Sequence, residues 1–188
     1  MKPLIAITGP HSIRTRDVVK TLLTALKLLH INIRQPIVDF TADCVNVDPY
    51  HLDHHVPLHQ YFSECGVTLR EMQKTIHHYL CLANKNYLTD FAKKEMDKNN
   101  FLFLHGACGF IVSNITTETE AAWVRKNNGL LIHVSEHGFL ANELSLKKQP
   151  GDEEIITCRE SPPDVQNLAG VINRISQHLQ QSINAKAA

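Results

Sequence analysis

The chain has 188 residues, 43% of them hydrophobic, and its 19 basic residues balance its 19 acidic residues. This composition predicts a folded domain and excludes an intrinsically disordered chain. A net charge of zero supplies no attraction for nucleic acid or anionic membranes, and no apolar run approaches the ~20 residues of a membrane span. We therefore expect neither nucleic acid nor membrane as a partner.

The chain begins with a strand, a turn and a helix. Residues 3–8 form a mostly apolar, β-branched run that is typical of a buried strand. Gly9 and Pro10 break this run, and apolar residues at helical spacing predict a helix over 17–30. A strand, a glycine-led turn and a helix together form the layout of a phosphate-binding loop.

This loop departs from the usual pattern G-x-x-x-x-G-K-[ST]. Counting from Gly9, Arg14 takes the place of the second glycine and Thr15 the place of the lysine. That glycine lets backbone N–H groups turn around the phosphates, and the lysine balances charge that develops during phosphoryl transfer. Arg14 and Arg16 bring charge of their own, and a helix N-terminus favours an anion. The predicted nucleotide-binding residues are Gly9, His11, Ser12, Arg14, Thr15 and Arg16; the alternative is an ordinary turn without a ligand.

A histidine-rich segment follows in the first half of the chain. Four histidines crowd nine residues: His51, His54, His55 and His59. Imidazole is a preferred ligand of zinc, so these four are weak candidates for a metal site. However, Pro49 and Pro57 interrupt the segment, and proline argues against regular helix. We therefore expect an irregular, exposed loop without metal, and zinc remains the less favoured alternative.

The rest of the chain alternates between predicted helices and strands. Further strands are expected at 101–105, 111–113 and 130–134, and helices at 68–98, 118–127 and 164–181. The run 68–98 is expected to hold two helices joined near residues 84–86. The strand–helix–strand unit at 110–134 predicts a crossover in a parallel sheet. The polar segment 138–154 is predicted to be a lid or loop, and residues 182–188 a disordered tail.

Four stretches carry a family resemblance. In chain order they are PIVDF at 36–40, VDPYHL at 47–52, TLREMQ at 68–73 and IVSNITTETEAAWVRKNNGLLIHV at 111–134. They resemble the segments D-P-L-K, G-L-D-P-E-H-L, T-P-R-E-x-x-Q and V-V-T-D-V-R-F-x-N-E-A-E-x-I-R-x-x-G-G-x-V-I-x-V. These segments are typical of the bacteriophage-type deoxynucleoside monophosphate kinase family.

The resemblance implies a fold and a set of ligands. The fold would be an α/β P-loop NTPase of the nucleoside monophosphate kinase type, a three-layer sandwich around a parallel sheet. Residues 1–181 would form one domain, with a helical substrate-side insertion at about 36–98 and a closing strand and helix within 155–175. Asp39 and Arg70 would lie on the substrate side. An active member would use ATP and Mg²⁺; no cofactor is certain otherwise.

The departures from the family pattern fall where the chemistry should be. The aspartate and arginine of D-V-R correspond to Asn114 and Thr116. An arginine of the family pattern falls near residues 80–81, and a further cationic residue falls near Glu136. Family residues that serve the fold are kept: Asp48, Pro49, Glu120, Arg125 and Gly129. Because phosphoryl transfer depends on positioning and charge, these combined losses argue against efficient catalysis.

Two functional hypotheses follow. The favoured one is a degenerate kinase-like protein, catalytically weak or inactive, that acts by nucleotide binding, by contact with a protein partner, or by both. The alternative is an active kinase with an atypical loop, in which Arg14, Arg16 and Arg70 replace the usual charges. A partner surface is expected at 50–63, where Tyr50, Tyr61 and Phe62 cluster, unless these aromatics pack internally. Five scattered cysteines suit reduced thiols and a cytoplasmic location.

Overall fold

A computed structural model describes residues 3–10, 12–136, 146–157 and 168–184. The strands are β1 (Leu4–Thr8), β2 (Leu28–Asn32), β3 (Tyr61–Phe62), β4 (Val67–Thr68), β5 (Gly109–Ile115), β6 (Leu130–Glu136) and β7 (Glu153–Thr157). The helices are α1 (Ile13–Leu26), α2 (Gln35–Val45), α3 (Pro49–His55), α4 (Leu69–Ala83), α5 (Tyr87–Lys98), α6 (Glu118–Lys126) and α7 (Ala169–Asn184), and a 3₁₀ helix spans Asn100–His105. The chain divides into two compact units, Met1–Asn32 with Ala92–Ala188 and Ile33–Phe91.

The first unit is built on a five-stranded parallel sheet. Its strand order is β2-β5-β1-β6-β7, so β1 is central and pairs in parallel with β5 and β6. Every residue of β1 is buried, as expected for a parallel strand that is covered on both faces. The α/β class and the central strand predicted at 3–8 are therefore confirmed.

Helices pack against both faces of this sheet. Ile5 and Ile7 of β1 share a core cluster with Val18 of α1 and Ile175 of α7. Neighbouring strand residues point to opposite faces, so Leu4 points away from this cluster. Leu4 lies beside α6, which packs against β1 and β6. Helices α1 and α7 thus cover one face, and α6 covers the other.

The connection from α6 to β6 depends on a glycine. A Cβ placed on Gly129 would lie 2.8 Å from Val124 Cγ1, 2.9 Å from Val124 O and 3.0 Å from Leu4 Cγ. These contacts are too short for any side chain, so Gly129 allows α6 to turn tightly into β6.

The start of α6 is fixed by a capping box. Thr117 is the N-cap, and its hydroxyl accepts from Glu120 N at 3.3 Å. The buried Glu120 carboxylate accepts in return from Thr117 N at 3.1 Å and from Thr116 N at 2.8 Å. These bonds satisfy backbone donors at the helix start. The helix predicted at 118–127 is confirmed almost to the residue.

The first predicted helix, 17–30, is wrong at both ends. Helix α1 begins at Ile13 and stops at Leu26, because Lys27 turns left-handed (φ 49°) with its N–H bonded to Leu23 O. The next five residues, Leu28–Asn32, form the edge strand β2, which sequence reasoning missed. Apolar residues in Leu-Leu-His-Ile-Asn fit helical and strand spacing alike.

The strand predicted at 101–105 is also wrong, because Asn100–His105 is a 3₁₀ helix. Phe103 packs edge-to-face on Phe110 at 5.1 Å between ring centroids. Phe101 and Leu104 are 57% and 87% exposed, so the run is not a buried strand. A short apolar run cannot be assigned to strand or helix by periodicity alone.

The second unit contains α2, α3, the antiparallel pair β3–β4, and α4. Its core gathers Val38 and Ala42 of α2, Leu52 of α3 and Leu69 of α4. Helix α4 begins with a second capping box between Thr68 and Glu71. The division of 68–98 into two helices is confirmed, since α4 ends at Ala83 and α5 begins at Tyr87.

The histidine-rich segment is helical, so the expected irregular loop is wrong for residues 49–55. Pro49 occupies the start of α3, where proline is favoured because no helical acceptor awaits its missing N–H. Asp48 caps this helix by accepting from His51 N at 3.0 Å. The helix ends at His55, before Pro57.

The C-terminal predictions fall partly outside the described residues. Of the lid or loop at 138–154, residues 138–145 are not described, 146–152 are irregular or turn, and β7 begins at Glu153. Helix α7 runs to Asn184, and residues 185–188 lie outside the described part. Within the described residues, no helix is both long and apolar enough to cross a membrane.

Substitution Gly129→Ala should lower stability by about 1–3 kcal/mol, because the new methyl group forces Val124 or Leu4 to move. Urea unfolding followed by circular dichroism measures the change. The control is Gly170→Ala in α7, where a Cβ meets nothing nearer than Arg174 Nη1 at 3.7 Å. Equal stability of the two variants would contradict the packing assigned to Gly129.

Candidate functional site

The candidate site is the turn that follows β1. The chain leaves β1 through α1 toward β2 on one side, whereas β6 and β7 lie on the other side. In open α/β sheets, ligands bind beyond the carboxyl ends of the strands, at the point where successive connections diverge. The turn at residues 9–12 and the first turn of α1 occupy this position.

Gly9 brings the turn against the neighbouring strand. A Cβ on Gly9 would lie 2.6 Å from Val134 O and 3.0 Å from Val134 Cβ. Only a residue without a side chain permits this approach. The first glycine of the phosphate-loop pattern therefore keeps a structural reason to be glycine.

The turn is closed by its own hydrogen bonds. Ser12 N donates to Pro10 O at 2.8 Å, and Thr15 Oγ1 donates to the same oxygen at 2.7 Å. Ser12 caps α1, since its hydroxyl accepts from Thr15 N at 3.3 Å. Thr15 is only 7% exposed. Position 15, where the phosphate-loop pattern has lysine, thus holds a buried hydroxyl that is engaged within the loop.

The predicted nucleotide-binding residues are only partly assembled. Gly9, Ser12, Thr15 and Arg16 lie together in the turn and the first turn of α1. Arg16 is half-buried, and its backbone N–H donates to Ser12 O at 3.2 Å. His11 and the side chain of Arg14 are outside the described part of the chain.

A pair of asparagines ties together the carboxyl ends of β2 and β5. Asn114 Nδ2 donates to Asn32 Oδ1 at 2.9 Å. Asn114 has a left-handed backbone (φ 66°) at an irregularity in β5, where Ala6 pairs with Val112 but Thr8 pairs with Ile115. Bulges of this kind redirect side chains and are common beside functional sites. Position 114 is therefore held by an amide side chain in a left-handed backbone conformation.

Sequence reasoning identified Asn114 but missed its partner. Asn32 ends strand β2, whose first three residues were predicted to be helix, and it lies 82 positions before Asn114. His30 lies two residues before Asn32 and Ser113 one residue before Asn114, and His30 Nε2 and Ser113 Oγ are 2.8 Å apart. A polar residue at each strand end was the available signal.

Asp39 and Arg70, which were predicted to lie on the substrate side, belong to the second unit. Asp39 is exposed on α2, where its Oδ1 accepts from Gln35 Nε2 at 2.8 Å. The Arg70 side chain is exposed in the first turn of α4, and the backbone N–H of Arg70 donates to Leu58 O at 2.9 Å. Helices α2 and α4 pack against each other within this unit.

A buried carboxylate outside the predicted site organises the segment before β7. The Asp152 side chain is 4% exposed; Arg125 of α6 donates to it from Nη2 at 2.6 Å and from Nε at 3.2 Å. His133 Nε2 lies 3.0 Å from Asp152 Oδ2, and Gln149 N donates to that oxygen at 2.9 Å. Arg125 therefore anchors the segment to α6.

The charge state of Asp152 follows from these contacts. Burial raises its pKa, but hydrogen bonds from Arg125, Gln149 N and His133 outweigh burial, so the pKa lies below the ordinary value. The same bond from Arg125 to Asp152 raises the pKa of the guanidinium. Glu118 adds a longer contact to Arg125 at 3.8 Å. Sequence reasoning missed Asp152, since its partners lie 19 and 27 positions away.

No group of three or more His, Cys, Asp or Glu side chains is placed to hold a metal ion, as far as the described residues extend.

A comparison of the chain with models of known protein families gives no match, and no curated protein matches it.

Substitution Asp152→Asn should destabilise the protein by about 2–3 kcal/mol at pH 7, because it leaves Arg125 without its carboxylate. Folding lowers the pKa of Asp152, so its stabilisation is complete above about pH 4, the pKa of an unfolded aspartate. The stabilisation is lost as the pH falls through the lower folded pKa. The difference between wild type and variant should therefore narrow at pH 3, as measured by urea unfolding.

A matched control is Glu154→Gln, since Glu154 forms an exposed ion pair with Lys148 at 3.1 Å. We expect a change within about 0.5 kcal/mol at pH 7 for this variant. If Asp152→Asn were less stable than the wild type by the same amount at pH 3 and pH 7, lost packing and not lost charge would explain its lower stability.

The left-handed backbone of Asn114 is tested by a pair of variants. Asn114→Ala and Asn114→Gly both remove the bond to Asn32, but only alanine resists a positive φ. The alanine variant should therefore be about 1 kcal/mol less stable than the glycine variant in thermal or urea unfolding. Equal stability would show that the strand is regular at this position.

Proposed function

We propose that this chain is a degenerate, kinase-like protein of the P-loop nucleoside monophosphate kinase type, in which phosphoryl transfer is weak or lost. It acts by binding a nucleotide, a protein partner, or both. The layout of β1, the turn at 9–12 and α1 at the divergence point of the sheet supports this proposal. The sequence pattern at 111–134 supplies the resemblance to deoxynucleoside monophosphate kinases.

The observation that carries the proposal is the environment of Thr15. Phosphoryl transfer in such enzymes uses a lysine ammonium that reaches the β- and γ-phosphates. Here Thr15 is 7% exposed, and its hydroxyl is bonded to Pro10 O inside the turn. The residue in the lysine position therefore brings no charge and is engaged with the loop itself.

Two further positions support loss of catalysis. Asn114 replaces the family's aspartate by a neutral amide that is bonded to Asn32. Thr116 replaces its arginine, and its backbone N–H is used to cap α6 through Glu120. Catalysis of phosphoryl transfer rests on positioned charge, and removal of one such group costs about 10²–10³ in rate. Losses at three positions should leave little activity.

Binding does not need the groups that transfer needs. The N-terminus of α1 still favours an anion, and Arg16 adds a cation to its first turn. These features support weak contact with the phosphate end of a nucleotide. Protein contact is the other route, and Tyr50 and Tyr61 are 64% and 58% exposed on the expected surface, whereas Phe62 packs against the core of the second unit.

An active kinase is the second candidate. It is favoured by the half-buried position of Arg16 in the first turn of α1, next to the turn that would hold phosphate. Arg70, exposed in the second unit, would serve the substrate side in that case. ATP and Mg²⁺ would then be the cofactors.

A coupled assay with ATP, Mg²⁺ and each of the four common deoxynucleoside monophosphates should give no turnover above background. The reason is the missing lysine ammonium and the neutral side chains at 114 and 116. A nucleoside monophosphate kinase added to the same mixture confirms that the coupling system works. Isothermal titration with ATP and Mg²⁺ measures binding separately.

Arg16→Ala distinguishes the two candidates. Robust turnover in the wild type that disappears in this variant would establish the active kinase and overturn the proposed function. Background activity in both proteins, with nucleotide binding that weakens in the variant, is the expected result for a binding protein.

A further inference from the structure

Helix α3 presents histidines on its solvent side. Leu52 is 1% exposed and packs with Val38, Ala42 and Leu69, so α3 is held on the core of the second unit by one face. The exposed side chains of the same helix are Tyr50, His51, His54 and His55. The Asp48 cap and Pro49 fix the start of the helix, so these imidazoles stand on an ordered backbone.

His51 and His55 are four residues apart on this helix, and such residues are neighbours on one face. Their ring centroids are 5.2 Å apart, with planes inclined by 31°. Zinc binds imidazole nitrogen at about 2.1 Å, which places the ion about 3.2 Å from each ring centroid. At a tetrahedral angle, two rings that share one ion would have centroids about 5.2 Å apart. The spacing of the two ring centroids is therefore compatible with imidazoles that share one ion, once side-chain rotation turns one nitrogen of each ring toward it.

We propose that His51 and His55 form a binding site for a divalent transition-metal ion, with zinc as the ion that fits the spacing. The two imidazoles supply two ligands. Water, or a side chain of another molecule, completes the coordination sphere. The site is independent of the proposed function, since it lies on α3 and uses none of the residues of the turn after β1.

The neighbouring histidines are less well placed to bind the same ion, although the His55 ring also lies near the rings of Tyr50 and His54, at 6.0 and 6.4 Å between centroids. His54 Nδ1 lies 3.1 Å from Tyr50 O, and its ring stacks on Tyr50 at 4.2 Å between centroids. His59 lies beyond the end of α3 and is not on the same helical face. A third protein ligand is not found among the described residues. The site is therefore a two-ligand, exchangeable one and not a closed structural centre.

The preference among metals follows from the ligands. Neutral imidazole suits zinc, copper and nickel, and the general order of affinity places Cu²⁺ above Zn²⁺. Magnesium and calcium prefer oxygen ligands, so neither should compete at millimolar concentration. The binding of metal requires unprotonated imidazole, so it is measured above neutral pH.

Isothermal titration with Zn²⁺ at pH 7.5 compares the wild type with His51→Ala, His55→Ala and the control His59→Ala. We expect one site in the wild type and in the control, and at least a tenfold weaker affinity at that site in each of the other two variants. Excess Mg²⁺ in the buffer should not change the result. Because all three side chains are exposed, circular dichroism should show an unchanged fold.

Unchanged zinc affinity in either His51→Ala or His55→Ala would overturn the proposal, as would an equal loss in His59→Ala. Titration with Co²⁺ gives an independent check. Visible d–d bands of bound Co²⁺ that are present in the wild type and absent in the double variant His51→Ala/His55→Ala support the proposed site. The same bands in both proteins would place the ion elsewhere and refute the proposal.

Discussion

The burial of β1 between two helical layers is the constraint on which the first unit depends. Its five residues are all buried, and it pairs on both edges with parallel strands. A parallel sheet needs helical crossovers that cover its faces, so the positions of α1, α6 and α7 follow from the sheet. The turn after β1 inherits its place at the carboxyl edge from the same arrangement. Scaffold and candidate site are thus consequences of one central strand.

Strands whose residues lie in the same buried environment on both faces could be predicted from the sequence. β1, β5 and β6 are buried on both faces, so they read as continuous apolar runs. The predicted helices and strands were wrong where the local sequence pattern fits more than one structure. The run at 28–32 fits two spacings, the run at 101–105 is apolar yet largely exposed, and Pro49 was treated as a helix breaker although it begins α3.

The candidate site was predictable in its local part only. The departure from the phosphate-loop pattern at Thr15 is visible in the sequence, but its bond to Pro10 O depends on how the turn folds. The contacts of Asn114 and Asp152 join residues that are far apart in the chain. They arise from the strand order of the sheet and from the approach of α6, which no local pattern contains.

The hydrogen bond that closes the turn between Pro10 and Thr15 limits which residues position 15 can hold. A lysine at position 15 would have to bury its ammonium where a hydroxyl now bonds Pro10 O, in a space that leaves Thr15 7% exposed. Any substitution of Thr15 that removes its hydroxyl or lengthens its side chain would break the bond to Pro10 O before another contact could replace it. The turn is therefore restricted to a small hydroxyl side chain at this position by its own local stability.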